Sequence, residues 1–175
     1  MKFEILSPGY MPYLTLISVA LIAVCVPLLW ARKVGLTVAL RKSGIVALLV
    51  VPIAISIAMT LSDNTFEMNG KRLFIRSGYS SDYSGDLHNF DLNNAYIGSL
   101  ESGPKAKLEW HKGGISLPGM NAGVFSMSGG QSIFVILTDR SSVLYLPAKS
   151  GPSILVSVRN PSEILKALKQ ENTEH

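Results

Sequence analysis

The chain has 175 residues and only 16% charged side chains, against roughly 25% in soluble domains, so part of it is built for a medium other than water. Its net charge of +4 is confined to one end: Lys2, Arg32, Lys33, Arg41 and Lys42 face Glu4 alone in residues 1–62, while residues 63–175 carry 11 basic and 11 acidic groups. That balance excludes a basic nucleic-acid-binding face on the C-terminal part, and the single cysteine, Cys25, excludes an intrachain disulfide framework or a Cys-based zinc site.

Residues 1–12 read as a short N-terminal tail. The run from Tyr13 to Trp30 is 18 residues without a charge, and at about 1.5 Å per helical residue it nearly matches a hydrocarbon core of about 30 Å. Tyr10, Tyr13 and Trp30 fall where amphipathic rings favour the headgroup level. A cleaved signal peptide is the rival reading. Arg32 and Lys33 after the apolar run, without a small-x-small cleavage site, favour a retained anchor. Residues 44–62 form the second predicted span, with Pro27 and Pro52 tolerated as kinks. The predicted basic loop, 31–43, carries Arg32, Lys33, Arg41 and Lys42 and no acid. These four residues determine topology in this reading, placing the loop in the cytoplasm and both termini outside. The expectation is a multi-pass protein of the bacterial inner (cell) membrane with its C-terminal domain extracytoplasmic.

From Phe66 the pattern shifts to short apolar or alternating runs split by turn residues, which predicts a small antiparallel β domain. Asn69-Gly70 suits a two-residue type I′ turn between a strand near Phe66 and one at 71–76. Further strands are predicted at 88–92, 96–101, 106–111, 123–127, 132–138, 142–147 and 153–158. Asn160, Pro161 and Glu163 then spell a helix start, and Ile164, Leu165 and Leu168 share one face of a helix over 161–170, followed by a tail at 171–175. Strands followed by one amphipathic helix predict a partly open barrel capped by that helix.

The stretches SLPGMNAGVFSM (116–127), ILTDRSSVLYLP (136–147) and SVRNPSEILKAL (157–168), in a small barrel ending in a helix, resemble the bacterial pleckstrin-homology-like (PH-like) domains found attached to membrane helices. The resemblance covers residues 66–170. It implies the fold and no common reaction. Eukaryotic relatives bind phosphoinositides through a Lys-x(n)-Arg-x-Arg pattern in the first hairpin, and Lys71, Arg72 and Arg76 lack that spacing, so headgroup binding is not carried over.

Chemistry-bearing motifs are weak. Residues 114–119 (GISLPG) miss the G-x-S-x-G spacing of a nucleophile elbow and read as a turn. His88 and His111 are isolated, without a second ligand or an orienting carboxylate at defined spacing. No catalytic residue, cofactor-binding residue or metal ligand is nominated, and no cofactor is expected. The segment 77–86 (SGYSSDYSGD) mixes Tyr with Ser, Gly and Asp as adaptable recognition loops do; a plain flexible polar loop has the same composition and is the favoured reading, with Tyr79 and Tyr83 the candidate recognition residues of the alternative. The expected partners are the lipid bilayer and a protein of unknown identity, with no nucleic acid. The reading is a non-enzymatic, membrane-anchored interaction module presenting a PH-like domain to a protein or peptide. Its rival is an accessory subunit of a larger membrane (transport or envelope) complex, packed through the helical hairpin with Gly44, Ala47 and Ala54 at the contact.

Overall fold

The structure is a computed structural model and describes residues 1–78, 82–100, 108–127 and 130–173, with the side chains of 108–112 excluded. Two compact units make up the chain: residues 10–60, and residues 1–9 together with 61–175.

The helical unit contains α1 (Tyr10–Leu29), a single turn α2 (Ala31–Val34) and α3 (Leu36–Thr60). Both α1, extended through α2 to Val34, and α3 are long and apolar enough to cross a membrane. Their side chains point large hydrophobics outward: of the exposed large apolar residues described, all but Met1 and Phe74 lie between Tyr10 and Met59. Such a surface is costly in water and favourable in lipid. The segment expected as a loop, 31–43, is helical except for Gly35, whose φ of +87° makes the break that a side chain would resist. At 25 residues, α3 runs about 37 Å, longer than a hydrocarbon core of about 30 Å, and Arg41 and Lys42 lie within its first two turns. Ala39 and Ser43, one turn apart and buried, let the backbones approach, and the Ser43 hydroxyl donates to the Val24 carbonyl at 2.6 Å. A polar side chain in an apolar environment is thereby satisfied.

The second unit is a two-sheet domain. β1 (Lys2–Glu4), β2 (Asn64–Asn69), β3 (Arg72–Ser77) and β4 (Tyr83–Asp86) form one sheet in that order. β5 (Tyr96–Gly98), β6 (Leu108–Leu117), β7 (Met120–Met127), β8 (Ser132–Leu137), β9 (Val143–Leu146) and β10 (Ser153–Ser157) form the other, ordered β5-β9-β10-β8-β7-β6. α4 (Pro161–Thr173) follows. The sheets are open and do not close into one barrel.

Period-2 alternation explains the packing. In β2 and β3, Phe66, Met68, Leu73 and Ile75 point inward and meet Phe134, Ile136, Leu144, Leu146, Ile154 and Val156 of the six-stranded sheet, with Ile164, Leu165 and Leu168 of α4 in the same core. The other faces of β8 and β10 present Ile133, Val135, Leu137 and Leu155 to a second cluster with Phe125 and Val143. Strands buried on both faces read as unbroken apolar runs, as β8 (SIFVIL) and β10 (SILVS) do.

Four expectations are corrected. Residues 2–4 of the predicted tail form a strand on β2, Phe3 opposite Phe66. The β2–β3 turn sits at Gly70-Lys71, because Asn69 pairs with Arg72; a positive φ at Gly70 and none at Lys71 match type II′ rather than I′. The strand expected at 88–92 is a 3₁₀ turn, Leu87–Asn89, followed by an isolated bridge from Phe90 to Ala148. The β sheet is not wholly antiparallel: the β9–β10 hairpin folds back so that β10 lies beside β8 in parallel.

Candidate functional site

α4 borders a shallow groove with the edge strand β5. Among the described residues β5 pairs with β9 alone, Ile97 opposite Leu144, so one side of its backbone has no strand neighbour. Across from it, α4 supplies Ser162, Leu165, Lys166, Lys169, Gln170 and Thr173, and together with Ile97 they line about 600 Å³. Helical spacing produces this wall: Ile164, Leu165 and Leu168 turn into the core, and Lys166 and Lys169, three residues apart, share the exposed side. Neither lysine has an ion-pair partner among the described residues. The groove thus offers a strand edge unpaired among the described residues, an apolar floor and a positive wall. Asn160 fixes the start of α4, its amide donating to the Glu163 carboxylate at 3.0 Å and its carbonyl accepting from the Ile164 amide at 3.2 Å.

Of the two candidate recognition residues, Tyr79 lies outside the described residues, and Tyr83 lies on β4. Its ring packs 5.7 Å from that of Phe134 and 6.2 Å from that of Phe90. Partial burial, and secondarily the nearby Asp86 charge, push its hydroxyl above the ordinary tyrosine pKa, as desolvation disfavours the phenolate. Tyr83 therefore contributes its ring to the core between the sheets. The four basic residues expected to set topology divide between two helices: Arg32 and Lys33 on α2, with Lys33 over the Trp30 ring at 5.3 Å, and Arg41 and Lys42 on α3.

His88 is exposed on the 3₁₀ turn, and His111 lies on β6 opposite Phe125. The Ser116 hydroxyl donates to the Asn121 side-chain oxygen at 2.7 Å beside the Pro118-Gly119 turn, which is the turn expected there. Among the described residues no three His, Cys, Asp or Glu side chains converge to hold a metal ion. Two carboxylates are held below their ordinary pKa by hydrogen bonds: Asp91 chiefly by the Asn94 side chain, and Asp139 by the amide and hydroxyl of Ser141 at 2.8 and 2.7 Å. Both are turn-forming, with the acceptor oxygens spent on neighbouring backbone amides and side chains.

Within the helical unit a second concavity runs between α1 and α3. Small side chains of α3 (Ala47, Ala54, Ala58) face Tyr13, Ile17, Leu21 and Cys25 of α1 across about 460 Å³.

Ile97, Lys166 and Lys169 were not singled out from sequence. The resemblance implies a groove between a strand edge and the helix; the spacing of the two lysines on the polar side of an amphipathic helix was the available residue-level signal, and which edge lies opposite is set by topology.

A family model described as a bacterial PH domain matches residues 65–172. Neither the curated proteins nor the solved structures give a match. Two open sheets closed by a C-terminal helix, over a matched stretch that spans more than half of the sequence, place this chain in the bacterial PH domain family.

Proposed function

We propose that the chain is a non-enzymatic, membrane-anchored interaction module, in which the α1–α3 pair holds the PH-family domain at the bilayer and the β5–α4 groove docks an extended, acidic segment of a partner protein. The observation that carries this reading is the juxtaposition of Lys166 and Lys169 with a strand edge that is unpaired among the described residues. Main-chain bonds to β5 would supply affinity, the lysines would select acidic side chains, and Ile97 with Leu165 would take an apolar one. The basic residues of α2 and the start of α3 support a cytoplasmic α1–α3 turn and a β domain on the opposite side.

The test uses full-length protein in detergent and two fluorescent decapeptide pools, one Glu/Asp-rich and one Lys/Arg-rich, each with interspersed apolar residues. Polarisation should rise with the acidic pool, and Lys166→Glu combined with Lys169→Glu should lower that affinity at least tenfold without changing the melting temperature of the domain. Equal binding by the charge-reversed variant, or binding of the basic pool instead, overturns the groove as the docking site.

The apolar concavity between α1 and α3 favours a second reading, an accessory subunit whose helices pack against those of a larger membrane complex. Detergent co-purification separates the two. A stoichiometric partner that survives deletion of residues 66–175 supports the accessory role, and one lost with that deletion supports the groove.

A further inference from the structure

Residues 1–6 precede α1 in sequence yet are built into the β domain. β1 lies antiparallel on β2, with Lys2, Phe3 and Glu4 opposite Glu67, Phe66 and Thr65, and the rings of Phe3 and Phe66 meet at 5.4 Å. The chain then crosses to the end of β10. There Ile5 bridges Val158, the Leu6 amide donates to the Ser157 carbonyl at 3.0 Å, and the Thr138 hydroxyl donates to the Leu6 carbonyl at 2.7 Å. Glu4 pairs with Arg159 at 3.2 Å, and Ile5 is 6% exposed within the core shared by both sheets. This segment is therefore the strap that joins the edge of the four-stranded sheet to the six-stranded one.

We infer that the two long helices are an insertion within the PH-family domain, with two consequences: α1 is retained in the mature protein, and the chain crosses the membrane twice between Gly9 and Leu61, leaving residues 1–6 on the same side as the β domain. Neither the basic residues nor the docking groove bears on this. Helices α1 to α3 begin after residue 9 and end before residue 61, and both flanks belong to one folded unit, so the number of crossings between them is even. Removal of α1 as a leader would take β1 with it. That would strip β2 of one of its two neighbours and expose a bare edge, empty the Ile5 site, and leave the Thr138 hydroxyl and Arg159 without the partners they have in residues 4–6.

The test uses the full-length chain carrying Cys25→Ala, with single cysteines introduced as Ser7→Cys, Lys33→Cys and Gln170→Cys, all at exposed positions. Intact cells are treated with a membrane-impermeant maleimide before and after permeabilisation, and the intact mass of the purified chain is measured. Ser7→Cys and Gln170→Cys are expected to label from one side and Lys33→Cys from the other, on a chain whose mass includes residues 1–30. Labelling of Ser7→Cys and Gln170→Cys from opposite sides, labelling of all three from one side, or a mass lacking α1 each overturns the inference. A further variant, Lys2→Cys with Glu67→Cys, reports on the strap directly: oxidation in membranes should join the two within one chain, and a covalent dimer as the sole product would overturn the assignment of β1 to its own domain.

Discussion

At the scale of single residues, burial separates side chains that look alike in sequence. Phe66 and Phe74 sit on neighbouring strands of the same hairpin; the first is 0% exposed and the second 40%, because alternate positions face opposite sides of a sheet. Phe66→Ala should cost roughly 3–5 kcal/mol of domain stability, whereas Phe74→Ala should stay within about 1 kcal/mol; thermal melts of the two variants check this. Ser157 is a second case. Its hydroxyl oxygen accepts from the Thr138 and Asp139 amides, both at 3.1 Å, and its proton goes to the Asp139 carbonyl at 2.6 Å, all at a fully buried site. Ser157→Ala removes all three bonds to part-buried backbone groups and should cost roughly 1–3 kcal/mol in total, a loss that denaturant unfolding would register. Tyr83 yields a pH dependence. Its native pKa is raised by burial and then by Asp86, so the folded state binds the phenolic proton more tightly than the unfolded chain does. The resulting stability is full below the ordinary tyrosine value of about 10 and is lost as pH rises through the higher native value. Tyr83→Phe should flatten the fall in melting temperature above that pH while leaving the neutral-pH melt nearly unchanged.

At the scale of elements, what could be read from sequence follows from how local each signal is. The long helices are legible because the absence of charge over 18 residues is itself the physical requirement for lipid. β8, β9 and β10 are legible because each is an apolar run between turn residues, and α4 because Asn160, Pro161 and Glu163 announce it. β1 and β4 were missed for opposite reasons. KFE has no apolar run long enough to register and becomes a strand only because β2 offers an edge. YSGD reads as a loop by composition and is held as a strand by pairing with β3 and by the Tyr83 ring. The extension of α3 back to Leu36 was hidden by Arg41 and Lys42, which mark the end of a hydrophobic run without ending the helix. One close approach was also invisible: Gly114 and Gly123 face each other on β6 and β7, and a Cβ on Gly123 would lie 2.1 Å from the Gly113 carbonyl oxygen at a φ of +130°. Gly123→Ala should therefore force the β6–β7 pair apart, and faster amide hydrogen exchange across both strands than in the native chain is the outcome to measure.

At the scale of the whole molecule, the family match begins at residue 65, but the folded domain begins at residue 1, since β1 and the bridge at Ile5 complete it. A protein with two compact units is not expected to unfold in one step. Heating the full-length chain in detergent should first abolish the aromatic near-ultraviolet signal of the β domain, where Phe66, Tyr83, Phe90 and Phe134 are packed, and leave the helical signal of α1 and α3, whose backbone bonds are internal to each helix and shielded from water. Replacing residues 2–6 with Gly and Ser should lower the first transition and leave the second where it was, because the strap contributes Phe3, Ile5 and its hydrogen bonds to the β domain alone. Coincident loss of both signals would overturn the two-step expectation, and an unchanged first transition in the strap variant would mean that the segment before α1 contributes no stability to the domain it belongs to.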